Sequence, residues 1–209
     1  MPISKSKVTR HLSTDPILQP LIKNIPFPLL ETTPSPVSEA LIESIVYQQL
    51  SIKAAAVIYK RLLDKFRDGK LDLIKLSRMK TESLRSVGLS YSKSDYVRNI
   101  ARFFLEKENQ GTDWHGMDED ELTRRLTLIK GVGNWTVQMI MISPMGKTDV
   151  FPALDLGVQQ GIVNLYGLKE TGKSLTQKMH EIAEPWRPYR SIACMYLWRW
   201  KDQFKKMKL

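Results

Sequence analysis

From Ser38 onward, apolar residues recur at helical spacing along most of this chain, and the alternation of a half-buried strand is absent. In "SEALIESIVYQQL", Leu41, Ile42, Ile45 and Val46 fall on one face, with Ser38 placed as an N-cap. "SIKAAAVIYKRLLDKF" continues with Ala54, Ala55, Ile58, Leu62 and Phe66 in register. "LDLIKLSRMKTESLRSVGL" predicts a helix stopped at Gly88, and "SKSDYVRNIARFFLEKE" one that presents Tyr96, Ile100, Phe103 and Phe104 behind a Ser94 cap. A polar, acidic loop, "NQGTDWHGMDED", precedes a helix from about Glu119 that ends between Leu128 and Lys130. Another helix is expected from Asn134. "DLGVQQGIVNLYG" sets Val158, Ile162, Leu165 and Tyr166 in helical register, and "PYRSIACMYLWRWKDQF" supplies a long final helix. The pattern predicts an all-α protein without internal repeats, low-complexity runs or a coiled coil.

The first 36 residues break this texture. Seven of the eleven prolines lie there, which forbids a long helix or central strand and predicts an arm of short helical turns laid over the body. A chain of 209 residues with 42% hydrophobic content is enough for one compact domain or two small lobes. A formal net charge of +10 favours a polyanionic partner such as nucleic acid, although many housekeeping proteins are also basic. Cys194 is the single cysteine, which excludes an intrachain disulfide and any Cys-ligated zinc or iron-sulfur site. No apolar run approaches the roughly 18 residues of a membrane span, and the N-terminal stretch has no signal-peptide core, so a soluble intracellular protein is expected.

"LIKGVGNWTVQMIMI" then puts Gly131 and Gly133 on either side of Val132, between two helices. Glycines there can take positive φ, Val132 can tuck inward, and the first amides of the second helix lack intrahelical partners. Such a turn is either an ordinary helix connection or a site where amides and the helix dipole hold a phosphate oxygen.

The same stretch resembles the helix-hairpin-helix motif of the DNA glycosylase superfamily. That superfamily has a required aspartate about twenty residues downstream, and "SPMGKTDVFPALDLGVQQG" places Asp155 there. "SIVYQQLSIKAAAVIYKRL", "GLSYSKSDYVRNIA" and "WRPYRSIACMYLWRW" are similar to three further segments of its alkylpurine branch, in the same order. The resemblance covers about residues 38 to 200. It implies two α-helical lobes with a DNA cleft between them: an arm, residues 1 to 36, packed on the C-terminal lobe; a helical lobe, 37 to 145, ending in the hairpin; and a lobe, 146 to 209, carrying Asp155.

The implied activity is monofunctional hydrolysis of the N-glycosidic bond of N3- or N7-alkylated purines flipped out of duplex DNA. From local sequence, Asp155 is a helix N-cap; within the family it is the catalytic anion, and one carboxylate can do both. Hydrogen bonds from the helix start favour its charged form, which can stabilise an oxocarbenium-like sugar and position or deprotonate water. Bifunctional relatives carry a nucleophilic lysine where this chain has Trp135, so no lyase activity is implied. Trp135 is either core or, with Trp198, Tyr47 and Ser51, part of a base pocket. There a cationic base gains cation–π attraction of roughly 0.5 to 2 kcal/mol. Leu50 is either a buried loop residue or the wedge that fills the gap left by the base, with Gln49 facing the opposite strand. Gly131, Val132, Gly133, Lys53 and Lys93 are the expected phosphate neighbours. The resemblance requires no cofactor and allows a weak monovalent cation on the carbonyls of Leu128, Lys130 and Val132.

Three positions depart from the relatives: Tyr47 replaces a small residue, Ser51 stands where some have histidine, and Leu156 replaces an aromatic seen in others. The competing reading is a lesion-binding or abasic-site-binding protein of the same fold with little turnover. The expected partner in both cases is damaged double-stranded DNA bound by a monomer, in the nucleus if the source is eukaryotic.

Overall fold

A computed structural model describes residues 4–30 and 35–207, with side chains through Lys201. Among the described residues it contains α-helices and short 3-10 turns and no strand. The arm folds into α1 (Lys5–Leu12) and α2 (Gln19–Asn24). Then follow α3 (Val37–Tyr47), α4 (Ile52–Leu63), α5 (Leu73–Arg78), α6 (Thr81–Ser86), α7 (Tyr91–Leu105), α8 (Glu119–Leu126) and α9 (Asn134–Ile142). The chain ends in α10 (Leu156–Tyr166), α11 (Gly172–Ala183) and α12 (Arg190–Met207). The arm clusters with the chain from Gly146 onward into one compact unit, and residues 35 to Met145 form another.

In the second of these units α3 is the hub, packed by α4, α7 and α9. Leu41, Ile42, Ile45 and Val46 are all fully buried there, as their spacing predicts. The caps differ from expectation. Pro36, at φ −55° and ψ 140°, is the N-cap residue of α3, and Ser38 sits buried inside the helix. Proline already fixes the φ that a helix entry needs, so α3 starts without a side-chain cap. Likewise Ser90 caps α7 by accepting from the Lys93 amide at 3.2 Å, while Ser94 Oγ donates back to the Ser90 carbonyl.

The stretch expected as one helix up to Gly88 divides into α5 and α6, because Met79 turns extended at ψ 136°. Arg98 of α7 fills the break, donating to the Met79 carbonyl and Thr81 Oγ1 and pairing with Asp95. Gly88 does end α6, at φ +110°. The acidic loop is anchored rather than free: Trp114 is buried against Phe103 and Phe104, with the Arg125 guanidinium stacked 4.6 Å from its ring.

The other unit builds its core from both ends of the chain. Val8, Leu12 and Leu18 of the arm pack with Val158, Ile162, Met179, Trp186, Tyr196 and Leu197. Its α11 was not predicted, although Leu175, Met179 and Ile182 of "GKSLTQKMHEIA" recur at helical spacing and pack on this core.

Asp15 is the polar latch of this core. Its Oδ2 accepts from the Tyr166 hydroxyl at 2.5 Å and the Trp186 indole at 2.9 Å, and its Oδ1 accepts from the Ile17 and Leu18 amides. Burial on its own pushes this carboxyl up, but the hydrogen bonds from Tyr166, Trp186, Leu18 and Ile17 outweigh it and hold the value below that of an ordinary aspartate. A depressed carboxyl contributes stability above its unfolded value of about 3.9 and loses it as pH falls through the folded value.

Asp15→Asn should therefore lower stability by roughly 1 to 3 kcal/mol at neutral pH, since an amide turned toward these donors leaves one unsatisfied. In thermal melts, the gap between variant and wild type should narrow steadily below about pH 4. A gap unchanged from pH 7 to pH 2 would contradict the latch.

Candidate functional site

The stretch after Met145 is held by the segment that reads "WRPYRS". Asp149 accepts from Arg187 Nη1 and Arg190 Nε, each at 2.7 Å, and Arg190 Nη2 also donates to the Asp149 carbonyl. The fully buried Ser191 receives the Val150 amide on its Oγ and donates to the Lys147 carbonyl at 2.8 Å. These contacts fix the approach to Asp155, which follows a tight turn in which its amide donates to the Pro152 carbonyl.

Asp155 is the N-cap of α10. Its Oδ1 accepts from the Val158 amide at 2.9 Å and from the Trp198 indole of α12 at 2.8 Å. The carboxylate is partly exposed and sits between two largely exposed leucines, Leu154 at 65% and Leu156 at 69%. Trp198 reaches it because residue 157 is glycine: a Cβ there would lie 2.8 Å from the indole Cδ1. The indole expected to line a base pocket thus has its polar edge committed to orienting Asp155. Nearby Cys194 is fully buried, and burial pushes its thiol up, so it is unreactive.

In the other unit, the hairpin enters from α8, which ends at Leu126 rather than between Leu128 and Lys130. Short-range turns carry the chain onward, with Ile129 bonded to the Leu126 carbonyl and Val132 to that of Ile129. The two glycines have different tasks. Gly131 holds φ +105° and lies against Tyr96, whose Cγ would be 2.2 Å from an added Cβ. Gly133 has an ordinary extended backbone, φ −102° and ψ 169°, and a Cβ there would meet nothing within 4 Å. Val132 is buried and closes the turn. The first intrahelical bond of α9 is from Val137 to Gly133, so the amides of Asn134, Trp135 and Thr136 precede it. Trp135, 36% exposed, stands in that first turn rather than in the core. Lys130 lends its carbonyl to Asn99 Nδ2.

The turn after α3 presents the other expected residues. Leu50 bonds back to the Tyr47 carbonyl, Gln49 takes a left-handed φ of 57°, and the Leu50 side chain is 41% exposed. Leu50 is therefore a surface leucine at the tip of a tight turn. Ser51 is exposed and caps α4 by accepting from the Ala54 amide, while Lys53 is exposed in the first turn of that helix. Lys93, expected beside a phosphate, turns inward. Its ammonium donates inward to the carbonyls of Val46 and Gln48, at 2.8 and 2.6 Å, so most of its bonding capacity serves this turn rather than a phosphate. Burial lowers its pKa.

Tyr47 does not fill its surroundings. It lines a cavity of about 380 Å³ with Tyr59, Glu39, Glu43, Met139 and Ser143. Its ring meets that of Tyr59 edge to face at 6.5 Å. Burial raises the Glu43 carboxyl and, together with Glu43, Glu39 and Tyr47, the Tyr59 phenol. Sequence reasoning gave no role to Glu39, Glu43 or Tyr59, nor to Asp149, Arg190 and Ser191. Only the quoted "WRPYRS" pointed at the last two.

One unit thus carries an oriented carboxylate; the other, by itself, carries a helix-start amide cluster, an exposed apolar turn and an acidic aromatic cavity. The HhH-GPD superfamily of base excision DNA repair proteins matches over residues 42–188. A Bacillus subtilis relative is 27% identical over 169 residues, 78% of this chain, and the chain spans 58% of that longer protein. Among solved structures, a DNA-3-methyladenine glycosidase from Bacillus halodurans superposes with a TM-score of 0.82 at 32% identity, over 97% of this chain and 92% of that one. A 3-methyladenine DNA glycosylase from Schizosaccharomyces pombe, in complex with abasic DNA, gives 0.76 at 30% identity, over 92% and 95%.

The two hairpin glycines should respond differently to a methyl group. Gly131→Ala should cost roughly 2 kcal/mol or more, at least about 4 to 8 °C in melting temperature, through positive φ and the Tyr96 contact. Gly133→Ala should melt within about 2 °C of wild type. Equal losses for both would show that Gly133 is also a packing residue.

Proposed function

Because the chain belongs to the HhH-GPD superfamily of base excision DNA repair proteins, in its alkylpurine glycosylase branch, we propose that it is a monofunctional glycosylase acting on N3- or N7-alkylated purines in duplex DNA. The observation that carries this is Asp155, the family's required aspartate, oriented through Oδ1 by two N–H donors. Departure of the base breaks the C1′–N bond, and the electron pair leaves with the purine. An alkylated purine is already cationic and departs neutral, so no general acid is required. The positive charge left on the sugar is met by Asp155, which also receives or directs the proton of the attacking water. The products are a free base and an abasic site.

The hairpin supports the DNA-binding half of this reading. Gly133 leaves open space beside the first amides of α9, which suits close approach of a phosphate oxygen. A monovalent cation on the carbonyls of Leu128, Lys130 and Val132 would add positive charge at that phosphate, and the Lys130 carbonyl, already accepting from Asn99, keeps a second lone pair for it. Leu50, at the tip of its turn, is suited to fill the gap left by an extruded base, with Gln49 beside it. The cavity beside Tyr47 accounts for selectivity. Two tyrosines and two carboxylates offer a cationic purine both aromatic and Coulombic attraction that a neutral one lacks. Trp135 in the lyase lysine's place leaves hydrolysis as the chemistry, without strand cleavage.

Duplex DNA carrying N3- or N7-methylpurines should release free base on incubation, and the abasic product should stay uncut until treated with alkali. Asp155→Asn should abolish release while retaining affinity for an abasic duplex. No release by wild type above that variant, with abasic binding intact, would instead establish a lesion-binding protein of the same fold.

Trp198→Phe keeps the ring and removes the N–H. Loss of one hydrogen bond to a charged group, about 1.5 to 3 kcal/mol, should slow single-turnover excision roughly 10- to 100-fold without changing abasic affinity. A rate within twofold of wild type would show that the indole does not orient the carboxylate.

A further inference from the structure

Gln49 and Asp68 are the two non-glycine residues with positive φ among the described residues. A non-glycine residue at φ 57° costs on the order of 1 to 2 kcal/mol and persists only where its neighbours over-determine it. The constraints lie on both sides. On one, the Gln48 carbonyl accepts from Lys93 at 2.6 Å and its side-chain amide donates to Thr136 Oγ1 at 3.0 Å. On the other, Ser51 is fixed as the cap of α4. Lys93 also takes the Val46 carbonyl, so its ammonium lies at the C-terminal end of α3, where the last carbonyls lack helical donors and carry the negative end of the dipole. Thr136 is buried in the first turn of α9, three residues after Gly133.

We propose that Lys93 and Thr136 are positioning residues that hold the Gln49–Leu50 turn ready for insertion, and that the Gln48–Thr136 bond joins this turn to the hairpin helix as one rigid frame. The inference rests on the reading of Gln49 and Leu50 as the parts inserted into damaged DNA. A flexible turn would have to be ordered on each insertion, whereas a preformed one spends none of the binding energy on that. The shared frame also sets the spacing between the gripped phosphate and the inserted leucine. Lys93 thus contributes to lesion recognition through two carbonyls rather than through a phosphate. Both partner residues, Gln48 and Thr136, belong to the same unit as Lys93.

The test compares equilibrium binding to a duplex containing a tetrahydrofuran abasic analogue with binding to the intact duplex, for wild type, Lys93→Met, Thr136→Val and Thr136→Ser. A 2-aminopurine placed beside the lesion reports local unstacking. Lys93→Met and Thr136→Val should each lower the abasic-over-intact preference about tenfold, weaken the fluorescence rise, and leave intact-duplex affinity within twofold. Thr136→Ser, which keeps the hydroxyl, should restore both readouts. Equal weakening on both duplexes with a salt slope reduced by about 0.9 would make Lys93 a phosphate contact and overturn the proposal. Unchanged preference in both variants would overturn it too. Because Thr136→Ser and Thr136→Val differ little in size, that pair decides the matter even if Lys93→Met melts below the assay temperature. A wild type without abasic preference removes the underlying reading of Gln49 and Leu50, whereas a wild-type preference that survives in the variants removes only this inference.

Discussion

The contact between the Trp198 indole and the Asp155 carboxylate exists because residue 157 has no side chain to hold the ring away. One missing methyl group lets α12 approach the start of α10, and the carboxylate is then fixed by a helix amide and an aromatic N–H. Two sets of contacts in that unit secure the approach. Asp149, Arg187, Arg190 and Ser191 tie the preceding loop to the start of α12, so loop and helix share one reference. Underneath, Ile192, Ala193, Tyr196 and Leu197 hold α12 in a core to which the arm contributes Val8, Leu12 and Leu18.

The charge distribution separates two tasks. The net charge of +10 acts at a distance and without regard to sequence, which suits a polyanionic partner. The cavity beside Tyr47 has the opposite local character, with Glu39 and Glu43 on its wall. On the proposed reading, the long-range field collects DNA of any kind, and a short-range reversal of sign discriminates among the bases offered. Aromatic walls on their own would retain neutral purines as well, and carboxylates on their own would retain any cation. Their combination suits a flat, positively charged ring.

How much of this was legible in the sequence depended on how local the determining interaction is. The hairpin and the cap at Asp155 were readable because glycine spacing and an aspartate before an apolar period act within one turn of chain. The caps of α3 and α7 were misplaced because Pro36 and Ser90 compete with nearby serines that satisfy the same local rule. The partner of the Trp198 N–H lies 43 residues away, and those of Lys93 lie 45 and 47 away, so these contacts were not readable locally, where the family resemblance implied a pocket aromatic and a phosphate lysine. The cavity was invisible for the same reason, since its wall joins α3, α4 and α9.

The latch at Asp15 has a temporal side. Its indole partner, Trp186, is 171 residues further along, on the far side of the entire second unit. At synthesis rates of about 5 to 20 residues per second, the arm waits on the order of ten to thirty seconds on the ribosome before that partner is made. Meanwhile the intervening segment can complete its own core around α3. The growing chain therefore carries Val8, Leu12 and Leu18 uncovered while a finished body forms behind them. The prolines around them keep this stretch from settling into a long wrong helix or a sticky strand, which makes the arm's awkward composition a safeguard during synthesis.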